Sequence, residues 1–121
     1  MAMEEAPKEI VWMGSTKNDL AVAPTSVKRT MGGALRTAQQ GGKSDDADPM
    51  KGDLRDVMEV RDHDEAGIYR LMYTTKIGEY IFVLDYFQKK GASGGSTRKE
   101  DLDRIRQRLR KAREQYATTK Q

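Results

Sequence analysis

The sequence predicts an α+β fold in which helices pack on a mainly antiparallel four-stranded sheet, in the order β-α-α-β-β-β-α. Three runs rich in β-branched and aromatic residues follow one another between residues 57 and 88, separated by turns too short for crossovers. Apolar residues recur every three or four positions before and after these runs, as in amphipathic helices. The 121 residues suit a single domain over 1–121, with 1–7 expected to be disordered and 117–121 frayed.

The N-terminal third is predicted to contain one strand and two helices. The β-branched and aromatic run Lys8–Met13 forms the first strand. Thr16, with an acid three residues later, caps a short helix that ends before Pro24. In the second helix, Gly32 and Gly33 weaken the prediction unless something packs closely there. The apolar stripe of this helix consists of Val27, Met31, Ala34, Leu35 and Ala38.

The middle of the chain is predicted to be an acidic loop followed by three antiparallel strands. Residues 41–53 contain too few apolar side chains for a buried element. The strands span 57–61, 68–75 and 80–88. The last of them is almost continuously apolar, which is typical of a central strand covered on both faces. The helices are nevertheless expected on one side of the sheet, leaving the other side open.

The C-terminal segment is predicted to be a long amphipathic helix. Thr97 and Glu100 have the spacing of a capping box after a basic, glycine-rich loop. The helix leaves its arginines on the faces away from the core. Its apolar stripe consists of Leu102, Ile105, Leu109, Ala112 and Tyr116.

Composition excludes several classes of protein. The chain has no cysteine, which rules out disulfides and a thiolate metal site and fits a cytoplasmic location. No apolar run approaches the ~20 residues needed to span a bilayer, and Glu4 and Glu5 stand where a signal peptide would carry lysines. The only histidine and the scattered acids lack metal-ligand spacing. We therefore expect no metal, cofactor or membrane partner.

The net charge of +3 conceals a strong asymmetry along the chain. Residues 43–65 contain nine acids and four bases, and residues 98–121 contain nine bases and four acids. A concentration of positive charge is typical of proteins that bind polyanions. The basic C-terminal segment is therefore expected to suit a polyanion, although such a helix can also be an ordinary solvated face.

Five short strings precede the charged helix. In chain order they are Lys8-Glu9-Ile10-Val11-Trp12, Met50-Lys51-Gly52, Met58-Glu59-Val60-Arg61, Tyr69-Arg70-Leu71-Met72-Tyr73 and Phe87-Gln88-Lys89-Lys90. Together with the element order, they resemble the RelE/ParE superfamily of bacterial toxins, in particular its phage-related, HigB-like branch. The resemblance covers most of the chain. It implies a ribosome-dependent endoribonuclease that cleaves mRNA, inhibits translation and is paired with a helix-turn-helix antitoxin.

Cleavage of RNA without a metal requires proton transfer and positive charge around the phosphate. Arg70 alternates with core residues along its strand and is the candidate for contact with the phosphate. Lys89 and Lys90, at the end of the central strand, are candidates for proton transfer. Further candidates for RNA binding are Lys51, Arg61, Tyr73 and Arg98.

Other interpretations of these residues remain open. Arg70 could form an ion pair with Glu59 across the sheet, and Tyr73 could belong to the core. His63 is predicted to lie in an exposed turn and to take no part in catalysis. At the level of the whole protein, the alternatives are a non-catalytic ParE-like toxin that blocks a DNA topoisomerase, and a basic RNA-binding protein without toxicity.

Overall fold

The computed structural model of this chain describes residues 7–89 and 99–120. Within them lie five strands: β1 (Glu9–Trp12), β2 (Ala47–Pro49), β3 (Val57–Asp64), β4 (Gly67–Ile77) and β5 (Tyr80–Lys89). The helices are α1 (Thr16–Ala21), α2 (Thr25–Gln39) and α3 (Lys99–Lys120), and a short 3-10 helix covers Gly52–Leu54. The predicted α+β class is confirmed, and every predicted helix and strand has a counterpart.

Some expectations about the chain ends and the glycine-rich loop fall outside the described residues. These are the disorder expected at residues 1–6 and the capping residue Thr97. α3 continues to Lys120, past residue 117, where the sequence predicted fraying. No helix of the described ranges combines the length and the apolar character needed to cross a membrane.

In the described part of the chain, the sheet has five strands rather than the predicted four, in the order β1-β5-β4-β3-β2. β1 pairs with β5 in parallel, and all other neighbours are antiparallel. The additional strand, β2, pairs with β3 within the segment predicted to be an acidic loop. Only Ala47 of this strand is buried. Because one buried residue makes no periodic pattern, the sequence could not indicate this strand.

Helices cover both faces of the sheet, so the prediction that they lie on one side is wrong. Tyr69, Leu71 and Tyr73 pack with α1 and α2, whereas Met72 packs with α3. This alternation follows from the two-residue period of a strand. We call the two sides the α1–α2 face and the α3 face. β5 is buried throughout its middle, as its apolar run predicted.

A β-bulge in the β4–β5 pair lies beside the attachment of α3. The register of the two strands shifts between Met72 and Tyr73. Near this shift, Asp85 is 3% exposed and accepts hydrogen bonds from Arg104 at 3.0 Å and Arg108 at 3.2 Å. The bond to Asp85 is the main reason that the pKa of Arg104 is raised. Asp85 therefore anchors α3 to β5 through two charged partners.

Two further arginines join α3 to the acidic segment. Arg106 donates to Asp53 at 2.7 and 3.2 Å, and this hydrogen bond lowers the pKa of Asp53. Arg113 donates to Asp56 at 3.5 Å. Two arginines of the basic C-terminal segment thus pair with acids of residues 43–65. Arg104, Arg106, Arg108 and Arg113 of the basic C-terminal segment therefore have acidic partners within the chain, and binding of a polyanion by this segment stays a prediction.

Gly78, in the turn between β4 and β5, lies against Tyr116 of α3. Its φ is +58°, and a Cβ at this position would collide with the tyrosine ring. Gly78→Ala is expected to lower the free energy of unfolding, measured in urea, by about 2 kcal/mol, from left-handed strain and displacement of the ring. Gly52→Ala is the control, because Gly52 has φ +65° but open space around it. Equal losses would show that the contact with Tyr116 contributes nothing.

Candidate nucleic-acid interface

Charged residues of β3, β4 and β5 meet on the α3 face, towards the β3–β4 turn. In the strand register, Arg61 lies opposite Arg70, and Arg70 lies opposite Phe87. Lys89 lies opposite Ile68, so Arg70 and Lys89 are diagonal neighbours on one face, with Cα atoms about 7–8 Å apart. The strand pairing thus brings Arg61, Arg70 and Lys89 together. We call the group formed by Glu59, Arg61, His63, Arg70 and Lys89 the hairpin-end site.

Arg70 is the buried centre of the hairpin-end site. Its side chain is 3% exposed, and Nη1 donates to Oε2 of Glu59 at 2.7 Å. Glu59 is itself 16% exposed, so the pair is largely shielded from water. The structure therefore matches the alternative interpretation, an ion pair across the sheet. Arg70 is not positioned to touch a phosphate while Glu59 holds it.

Arg61 and Lys89 are better placed for contact with a ligand. The side chain of Arg61 is 56% exposed, and its Nε lies 3.9 Å from Oε1 of Glu59. This longer, exposed contact constrains Arg61 much less than the short bond constrains Arg70. Lys89 is half-buried at the end of β5. Both side chains can therefore supply positive charge at the surface of the sheet.

His63 also belongs to the hairpin-end site, which the sequence did not predict. β3 continues to Asp64, so His63 lies in the strand rather than in an exposed turn. It is exposed on the same face as Arg61 and lies opposite Ile68. His63 helps to line a groove of about 570 Å³ at the β3–β4 turn. The exposed imidazole is therefore open to a ligand in this groove.

The other candidate residues do not join this group. Lys51 is exposed. Its neighbour Met50 donates a backbone hydrogen bond to Val57, which places Lys51 near the start of β3. Val57 and Arg61 are about 13 Å apart along the strand. Tyr73 is 1% exposed within the core of the α1–α2 face, and burial raises its pKa. The prediction that Tyr73 stacks on RNA is therefore wrong. Lys90 and Arg98 lie outside the described residues.

One signal in the sequence could have identified Glu59 and His63. Glu59, Arg61 and His63 are each two positions apart, and residues two positions apart on a strand share a face. The prediction ended the strand at Arg61, because the following residues are polar and resemble a turn. Once the strand extends to Asp64, positions 59, 61 and 63 form one row.

No group of three metal-ligating side chains occurs anywhere in residues 7–89 and 99–120.

The residues of the hairpin-end site are suited to binding a phosphodiester. Arg61 and Lys89 can attract a phosphodiester, and His63 can act as proton donor or acceptor. The buried ion pair of Arg70 and Glu59 lies beside them on the same face. Because Glu59 carries negative charge beside Arg61, a phosphate must compete with Glu59 for that guanidinium.

Comparison with known proteins gives a family match and a structural likeness. Residues 18–110 match the family described as phage derived protein Gp49-like. No curated protein matches the chain. The chain is similar to a chain from the crystal structure of the toxin–antitoxin complex RelBE2 of Mycobacterium tuberculosis, with 17% identity and a TM-score of 0.45. That match covers 69% of this chain and 99% of the other.

Proposed function

Because the chain belongs to the phage-derived Gp49-like family, a family of RelE-like toxins, we propose that it is the toxin of a type II toxin–antitoxin system. The family match spans most of the α+β domain, from α1 into α3. In this proposal the chain is a single-domain cytoplasmic protein. Its activity is held in check by a helix-turn-helix antitoxin.

The proposed activity is metal-independent cleavage of mRNA on the ribosome, which inhibits translation. The observation that supports it is the grouping of Arg61, His63 and Lys89 on one face, beside the buried pair of Arg70 and Glu59. Cleavage next to a 2′-hydroxyl requires a proton acceptor, a proton donor and stabilisation of the phosphate, and these residue types supply all three.

Each residue has a distinct role in the proposal. Arg61 binds the phosphate, because its long contact with Glu59 is weak and a phosphate oxygen can replace the carboxylate. Lys89, together with Lys90, and His63 share the proton transfers. Arg70 acts mainly as a positioning residue, because it fixes Glu59 and the strand that carries Arg61. Lys51 and Arg98 are proposed to contact the RNA backbone away from the cleaved bond.

Induction of the chain in a bacterial host, followed by mapping of transcript 5′ ends, tests this proposal. New 5′ ends within coding regions and arrested growth are expected. Arg61→Ala and Lys89→Ala should each lower cleavage about tenfold, because each removes positive charge next to the phosphate. The matched control is Arg110→Ala, which removes an exposed arginine of α3 and should leave cleavage unchanged.

The alternatives give different results in the same experiment. Growth arrest without new 5′ ends would contradict the nuclease proposal and favour a toxin that acts by binding. Normal growth with no new 5′ ends, at an expression level confirmed by blotting, would favour a basic RNA-binding protein without toxicity.

A further inference from the structure

The outward face of α2 carries positive charge that the helix itself does not balance. Lys28, Arg29 and Arg36 are exposed, and the helix contains no aspartate or glutamate. Its apolar stripe packs on the α1–α2 face, so Arg29 and Arg36 point away from the core. Within residues 7–89 and 99–120, neither of these two arginines is in an ion pair.

α3 carries more arginines than α2 but uses them differently. Arg104 and Arg108 bind Asp85, and Arg106 binds Asp53, so much of the charge of α3 is neutralised within the molecule. The two arginines of α2 are left available to a partner. Charge complementarity therefore indicates an anionic partner for the outward face of α2.

Two glycines lie between these arginines. A Cβ at Gly32 or Gly33 would meet nothing within 4 Å, and neither glycine has a positive φ. Glycine weakens an exposed helix relative to alanine. Neither packing nor backbone conformation within the described chain requires glycine here. A patch without side chains lets the backbone of a ligand approach the helix closely.

We infer that the outward face of α2 binds the phosphate backbone of double-stranded RNA. Arg29 and Arg36 are two turns apart, about 10 Å along the axis, and each guanidinium can bind phosphate oxygens through two hydrogen bonds. α2 contains no aromatic residue on which unpaired bases could stack, which favours a duplex over a single strand. A-form RNA is recognised largely through its shape and backbone.

This surface is separate from the hairpin-end site. α2 covers the α1–α2 face of the sheet, whereas Arg61 and Lys89 lie on the α3 face. A structured RNA on α2 and a single-stranded substrate at the hairpin-end site could therefore be bound together. The choice of RNA rather than DNA rests on the proposed function; the inference of a phosphate-binding face does not.

Binding of a short RNA duplex of arbitrary sequence to the purified full-length protein, measured by fluorescence anisotropy, tests this inference. Arg29→Ala/Arg36→Ala is expected to weaken binding about tenfold and to reduce the slope of log affinity against log salt by about two. The control, Arg110→Ala/Lys111→Ala, removes the same charge from exposed positions of α3. Equal weakening by both pairs would overturn the inference. A DNA duplex that binds as tightly as the RNA would also overturn it.

The glycines provide a second test with two opposite changes. Gly32→Ala/Gly33→Ala is expected to raise Tm, because alanine stabilises an exposed helix. The same variant should weaken duplex binding about threefold, because the added methyl groups hold the RNA backbone away. A higher Tm with unchanged affinity would contradict close approach of a ligand. Both tests measure binding, so they can fail while transcript cleavage persists, and the reverse also holds.

Discussion

Asp85→Asn is expected to lower the free energy of unfolding by about 3 kcal/mol, because Asp85 is a buried acid with two charged partners. The carboxylate is 3% exposed and faces two guanidinium groups from α3, at 2.8 Å from Arg104 and 3.2 Å from Arg108. Asparagine fills the same space but leaves Arg108 without a counter-charge and Arg104 with Asp101 alone, at 2.7 Å. Thermal denaturation followed by circular dichroism should show Tm lowered by about 12 °C.

Asp103→Asn is the matched control for Asp85. Asp103 also has two cationic partners, Arg106 at 3.0 Å and Lys99 at 3.6 Å, but its side chain is 54% exposed. Exposed ion pairs of this kind contribute little, so a loss below about 0.5 kcal/mol is expected. If the two variants lost similar stability, burial of Asp85 would not explain how α3 is held.

Arg70→Met is expected to destabilise the protein by about 3 kcal/mol in urea denaturation. Methionine occupies a similar volume, but Glu59 loses the partner that binds it at 2.7 Å. A carboxylate with only 16% of its side chain exposed is costly when its remaining cation, Arg61, lies 3.9 Å away and is 56% exposed. The variant should also relieve growth arrest, through loss of folded protein rather than loss of a phosphate contact.

The double variant Arg70→Met/Glu59→Leu separates these two roles of Arg70. Because it removes both charges, stability should return to within about 1 kcal/mol of the wild-type protein. If Arg70 is a positioning residue, this variant should still produce new transcript ends, since Arg61 and Lys89 remain. A stable double variant with no cleavage would instead restore Arg70 as a residue that contacts the phosphate.

Local patterns in the sequence were sufficient for most of the secondary structure. The apolar stripe of α2 consists of the five residues that are buried in the structure. The alternation along β4 correctly placed Arg70 on the opposite face from Tyr69 and Leu71. Both patterns are local, because a residue and its neighbours two to four positions away already decide which side of a strand or helix is apolar.

The same local patterns could not show the environment of the candidate site. Arg70 and Glu59 are eleven positions apart, and their contact depends on the register of β3 and β4. The sequence allowed either a phosphate contact or this ion pair. Only the strand pairing decided between them, and it also placed Lys89 beside Arg70 while leaving Lys51 at the other end of β3.

The sequence by itself determined the α+β class, the limits of most elements and the inward stripe of each long helix. The tertiary structure alone decided that α3 covers the second face of the sheet, and that four of its arginines bind acids. The physical reason is that an amphipathic helix specifies which of its own faces is buried but not the surface that buries it. That surface is set by partners distant in sequence, such as Asp85 beside the β-bulge.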